Sequence, residues 1–193
     1  MTTKPKILVF AGSAREASLN KKLARVASAA VDENGGLATL IDLRDYPMPI
    51  YEGDLEAREG MPTAARSLRA LLVSHPGFLI VSPENNGSIP SLLKNTIDWL
   101  SRDTDGSSGL EPWRGKVVGL MAASPGAFGG VLGLGQLRLC LTKLLAHVIP
   151  DQFPLPKADG AFDASGALTQ DFHQKSVQTV ARRLIETTSR LSA

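Results

Sequence analysis

Short apolar runs alternate with longer stretches in which apolar residues recur every three or four positions, and the alternation repeats along most of the chain. The runs at 7–11, 37–43, 77–82, 116–123 and 147–150 have the length of strands. A helix is predicted from about Ser18, with Leu19, Leu23, Val26, Ala27 and Ala30 on one face and Gly35 and Gly36 ending it. A second starts near Pro62, with the stripe Ala64, Leu68, Leu71 and Leu72. A third covers 91–102, with Leu93, Ile97 and Leu100 inward, and a fourth covers 131–145. The last runs over about 169–191, with Val177, Val180, Ala181, Leu184 and Leu191 on its face. Residues 46–54 read as a Pro-containing loop, and the Gly/Ser-rich segment 103–109 reads as an exposed one.

Strands that alternate with helices imply a parallel sheet covered on both sides. Phe78, Leu79, Ile80 and Val81 show no period-two alternation, as a strand buried on both faces should not. Five such units within one domain spanning 1–193 fit an α/β doubly wound parallel sheet of flavodoxin-like order, 2-1-3-4-5. Ligands on that architecture sit beyond the carboxyl ends of the strands, where the winding reverses. The loops after the first, third and fourth strands therefore matter most, and all three are rich in Gly, Ser, Asn or Pro.

Composition narrows the possible partners. A net charge of +2 with no long Lys/Arg block gives no footprint for nucleic acid. No apolar run is long enough to cross a bilayer. The first residues lead straight into a strand without a leader-like segment, so a cytoplasmic protein is expected. The single cysteine, Cys140, excludes an intramolecular disulfide and a multi-cysteine metal site, and reads as a structural thiol. His75, His147 and His173 lack metal-ligand spacing and read as structural or surface residues.

The first loop, from Gly12 to Asn20, joins a strand to a helix start, where free backbone N–H groups attract an anion. Ser13 and Ser18 can add hydroxyls, Asn20 an amide and Arg15 a full charge. Spacing alone leaves two readings: a phosphate site, or a helix capped by Ser18 with Arg15 solvated. A Walker loop and a GxGxxG fingerprint are both absent here, which favours a mononucleotide phosphate over a dinucleotide.

Gly12-Ser13-Ala14-Arg15, followed by Ser18-Leu19-Asn20 and Leu23-Ala24, resembles the GSxRxxSxNxxLA signature of the NADPH-dependent FMN reductase family, which includes bacterial quinone, chromate and azo-dye reductases. The segment from Pro83 through Asn86 and Pro90 to Leu93-Lys94-Asn95 and Asp98-Trp99 resembles the family's PEYNxSxPxxLKNxxDW block. Ser124 to Gly130 is similar to its SPGGFGG segment. The resemblance runs from about Lys6 to Pro150. It implies FMN as cofactor, with the phosphate held by Ser13, Arg15, Ser18, the Leu19 backbone and Asn20. It places the ring against Pro83, Glu84, Asn85, Asn86, Gly87, Ser124 and Gly126. Asn85 stands where the family has tyrosine; its tolerance of left-handed backbone is one reason for an asparagine there. Glu84 is open to three readings: ring contact, contact with another subunit, or exposed residue.

The activity implied is transfer of electrons from NADPH or NADH through bound flavin to FMN, a quinone or another small acceptor, in a ping-pong cycle. That hydride chemistry belongs to the cofactor, so no side chain is named as catalytic. The resemblance also implies a homodimer or homotetramer. Lys94, Asp98 and Arg102 lie at i, i+4 spacings and form either exposed ion pairs or subunit contacts. Trp99 reads as a core or interface residue rather than a flavin contact, and Phe128 as core. Two other readings share the fold: a flavodoxin-type electron carrier, and a degenerate binding module without FMN.

Overall fold

The computed structural model describes residues 4–104 and 106–191; the expectations for Met1 to Thr3, Asp105, Ser192 and Ala193 lie outside them. Strands β1 (Lys6–Ala11), β2 (Leu37–Asp42), β3 (Gly77–Val81), β4 (Val117–Ala123) and β5 (His147–Leu155) form one sheet in the order β2-β1-β3-β4-β5. Every neighbouring pair is parallel, in the flavodoxin-like order expected. The helices are α1 (Leu19–Glu33), α2 (Gly53–Glu59), α3 (Thr63–Ser74), α4 (Ser91–Leu100), α5 (Val131–Lys143) and α6 (Asp171–Leu191).

The central strands divide their side chains between two cores. Ile7, Val9, Leu79 and Val81 pack with α1 and α6, while Leu8, Phe10, Phe78 and Ile80 pack with α3, α4 and α5. This is why their sequences are continuously apolar: each face of the sheet meets a helix layer. Leu23, Ala27 and Val31 bury the inner face of α1, and Gly35 at φ 88° ends it, as expected for a glycine after the last turn. On α3 the buried face is Ala65, Leu68 and Leu72, so Ala64 and Leu71 lie at its margins.

Three departures have local causes. Helix α2 falls where a loop was expected to run to Asp54. It buries no residue, so it has no apolar stripe to read, and it is held by the Glu52 carboxylate accepting from the Asp54 and Leu55 N–H groups. Strand β5 runs to Leu155 rather than 150. Its register against β4 shifts between Val118 and Leu120, and an edge strand tolerates Pro150 and Pro154. Arg138 of α5 donates to the Val148 and Ile149 carbonyls at that irregularity. In the Gly/Ser segment, Gly109 is buried rather than exposed: a Cβ there would lie 2.1 Å from the Ser101 carbonyl oxygen.

The single-residue expectations divide similarly. His75 is buried, its ring nitrogens 2.7 Å from the Leu71 carbonyl and 2.9 Å from the Thr39 hydroxyl, a structural residue as expected. Cys140 is half-buried, and burial pushes its thiol pKa up. Trp99 is fully buried and donates to the Pro49 carbonyl at 2.8 Å. Asn95 also donates to Pro49, so the Pro-containing segment is pinned onto α4. Lys94 pairs with Asp98, but Arg102 turns to the Tyr51 hydroxyl at 3.1 Å instead of to Asp98. Phe128 is 75% exposed, not core.

Candidate functional site: a cleft at the carboxyl ends of three strands

The backbone extends the sheet's pairing one residue past the ends of β1, β3 and β4. The Gly12 N–H donates to Val81, Ser82 to Met121 and Ser124 to Leu155. The three following loops therefore leave the same edge of the sheet, where the winding reverses. They enclose an open cleft of about 510 Å³, within the ordinary range for small-molecule sites.

The first loop contributes Ser13, Arg15, Ser18, Leu19 and Asn20 to the cleft wall. Ser18 occupies the position before α1, yet its hydroxyl makes no capping bond. The first intrahelical bond runs from the Lys22 N–H to the Ser18 carbonyl, so the N–H groups of Leu19, Asn20 and Lys21 have no acceptor within the helix. Arg15 is exposed, with its guanidinium on the Ala17 carbonyl and its backbone N–H on the Ser13 hydroxyl. Asn20 is buried and does something the sequence did not suggest. Its amide donates to the Ala123 carbonyl and accepts from the Ala123 N–H, both at 2.8 Å, tying the start of α1 to the end of β4. That occupies one of its two amide hydrogens.

The second loop contributes Pro83, Glu84 and Asn85. Asn85 and Ser88 exchange both backbone hydrogen bonds, and Asn86 (φ 51°) and Gly87 (φ 73°) form the turn between them. Positive φ at both central residues is the geometry that Asn-Gly favours. The left-handed residue is thus Asn86, not Asn85, and neither Asn86 nor Gly87 lies on the cleft wall. Glu84 lies on the wall and has a further role that the sequence did not suggest: its carboxylate accepts from the Gly133 N–H at 2.8 Å and caps α5. A Cβ at Gly133 would come within 3.1 Å of the Glu84 side chain and 3.2 Å of the Ser88 carbonyl, so a larger residue would push this loop outward by a few tenths of an ångström.

The third loop places Ser124 on the wall, its hydroxyl accepting from the Gly126 N–H; Gly126 itself is exposed and off the wall. Gly129 is required structurally, because a Cβ there would meet the β5 backbone at 2.8 Å. Several wall residues were not named as contacts from sequence. Pro90, Ser91 and Leu92 bring in the start of α4, which the Pro before a helical pattern signals. Gly12 is on the wall as well, and a Cβ there would meet Leu93 at 3.0 Å and Pro83 at 3.4 Å.

Behind the first loop lies a polar cluster with no sequence signature. Lys21 pairs with Asp42 at the end of β2, and Arg44 follows two residues later. Burial pushes the Asp42 pKa up, but hydrogen bonds from Lys21 and the Arg44 N–H, with the charges of both residues, outweigh it and leave the carboxyl below its usual 3.8. Among the described residues no helix is long and apolar enough to cross a membrane.

Comparison with known proteins agrees with this geometry. The family model for NADPH-dependent FMN reductase matches residues 5–160. A quinone reductase of Escherichia coli is 35% identical over 153 residues, covering 77% of this chain and 76% of that protein. An NAD(P)H-dependent FMN reductase of Pseudomonas aeruginosa is 33% identical over 178 residues, covering 90% and 89%. Among solved structures, the flavoenzyme NAD(P)H:(acceptor) oxidoreductase FerB from Paracoccus denitrificans superposes with a TM-score of 0.79 at 25% identity, covering 96% of this chain and 98% of that one. With its strand order, its cleft and these relatives in agreement, the chain belongs to the NADPH-dependent FMN reductase family of flavodoxin-like oxidoreductases.

Proposed function

We propose that the cleft holds FMN and that the protein is an NAD(P)H-dependent reductase of FMN, quinones or another small acceptor, working by a ping-pong cycle. One observation carries the reading: separate loops after β1, β3 and β4 bring nine of the residues implied by the family resemblance onto one wall. The fit is supported by the state of the first loop. Free helix-start N–H groups, an uncommitted Ser18 hydroxyl and the Arg15 charge offer donors to a phosphate. Pro83, Asn85, Ser124 and the start of α4 would bound the ring.

Bound FMN supplies the two-electron chemistry between a nicotinamide and the acceptor. The chain's own residues bind the phosphate, shape the cleft and leave it open enough for a second reactant. Asn85 is exposed on the wall and puts an amide, rather than an aromatic face, beside that reactant. Glu84 holds this loop against α5.

Purified protein titrated with FMN and followed by flavin fluorescence tests the binding. Arg15→Ala should weaken binding at least about tenfold with little change in stability, as expected for an exposed charged donor. Steady-state rates of NADH or NADPH oxidation with quinone should give parallel double-reciprocal lines. A colourless protein that ignores added FMN would overturn the reading, and a yellow one that oxidises neither nicotinamide would favour an electron carrier.

Phe128, Leu132 and Leu139 are 75%, 59% and 69% exposed at the start and along the outer face of α5. Such apolar exposure supports a homodimer or homotetramer. Light scattering coupled to gel filtration should show one of these; a monomer at micromolar concentration would remove this part of the proposal.

A further inference from the structure

We propose that Arg44, with Lys21 and Asp42, is a positioning clamp that sets which way the loop after β1 presents its backbone to the phosphate. The inference rests on the FMN reading above and deepens it. Arg44 donates through Nε and Nη2 to the carbonyl oxygen of Ala14, at 3.0 and 2.7 Å. Lys21 Nζ reaches the same oxygen at 3.3 Å. Two cations thus converge on one neutral carbonyl in the middle of the loop.

Asp42 organises both. Its Oδ2 takes Lys21 Nζ at 2.5 Å, and its Oδ1 accepts from the Arg44 backbone N–H at 3.0 Å. The carboxylate stands at the end of β2, the neighbour of β1, so the cluster spans the two strand ends. Lys21 is 8% exposed, which strengthens its attraction to Asp42 relative to a solvated pair.

The consequence follows from the peptide bond. The Ala14 carbonyl and the Arg15 N–H belong to one planar trans unit and point in opposite directions. Drawing the carbonyl toward Arg44 and Lys21 turns the Arg15 N–H the other way, where the Ser13 hydroxyl accepts it at 3.3 Å. Ser13, Ala14 and Arg15 all line the cleft, whereas Arg44, Lys21 and Asp42 do not. The clamp therefore acts through the loop and not by touching the ligand. Without it this peptide could turn over and present a carbonyl dipole to an anion, which repels it.

The test compares FMN with riboflavin, which has the same ring system and no phosphate, by titrating apoprotein and following flavin fluorescence. The readout is the riboflavin Kd divided by the FMN Kd. In Arg44→Ala the ratio should fall about tenfold, the scale of one lost charge-assisted hydrogen bond, with the riboflavin Kd unchanged within about twofold. Asp42→Asn removes the charge that holds Lys21 but keeps an oxygen for the Arg44 N–H, and should lower the ratio less, by about threefold. Arg44→Lys keeps the charge but has no fork, and should recover less than half of the lost selectivity on a logarithmic scale. Ratios within twofold of the unmodified protein in both Arg44→Ala and Asp42→Asn would overturn the clamp. Full recovery in Arg44→Lys would overturn it in favour of charge alone. If Arg44→Ala does not fold, Arg44→Lys and Asp42→Asn decide the matter on the same readout. If the unmodified protein itself does not prefer FMN to riboflavin, the phosphate reading fails, and the clamp falls with it for a distinguishable reason.

Discussion

Between Asn85 and Ser88 the loop after β3 closes on itself, through two backbone hydrogen bonds and an Asn-Gly turn whose dihedral angles the residues themselves favour. The loop after β1 holds its shape by other means. Its carbonyl at Ala14 is gripped from the end of β2, and the helix start that follows it is tied to β4 by Asn20, 103 residues away in sequence. Both loops line one cleft, yet one carries its conformation locally and the other borrows it from the rest of the sheet. A locally encoded turn can be altered at local cost. A borrowed conformation fails wherever its distant partner fails.

The largest effect should come from cutting a borrowed contact. Asn20→Ala leaves the buried N–H and carbonyl of Ala123 without partners. We expect a loss of about 3 kcal/mol in urea unfolding, from two unsatisfied buried groups, together with loss of FMN retention. A loss under about 1 kcal/mol would mean that water replaces the amide and that the two loops are held less differently than described.

The local turn should yield less. Gly87→Ala meets only Leu132, at 3.9 Å, but forces alanine to φ 73°. The expected cost is about 1 kcal/mol, with the first loop's selectivity between FMN and riboflavin unchanged. A shift in that selectivity would show that the turn and the loop after β1 are coupled.

The smallest effect concerns pH. Because the Asp42 pKa is lowered in the folded protein, its contribution to stability is present above the usual 3.8 and is lost as pH falls through the lowered value. The Asp42 side chain is 36% exposed, so solvent screening keeps this contribution to roughly 1 kcal/mol or less. The stability gap between the unmodified protein and Asp42→Asn should be constant from pH 7 to about 5 and should narrow below about pH 4. A gap independent of pH down to 3 would show that Asp42 acts through packing rather than charge.

The sequence determined the parts of this protein that depend on local order. Apolar runs such as Phe78 to Val81 made buried parallel strands readable, since a strand covered on both faces needs no polar alternation. Strict helix-period stripes placed α1 and α4, and the three loop motifs identified the family. Only the tertiary structure decided which loop side chains line the cleft and which of them also hold the scaffold. Glu84 and Asn20 read as binding residues; both line the cleft, and each also bonds to distant backbone, at Gly133 and Ala123. Arg44 carried no motif, yet it grips the loop from the turn that follows β2, 30 residues away in sequence. Helix α2 was invisible because it buries nothing. For the three side chains the physical reason is shared: a side chain's chemistry is a property of the residue, but the partner that satisfies it is set by which backbone the fold brings within reach.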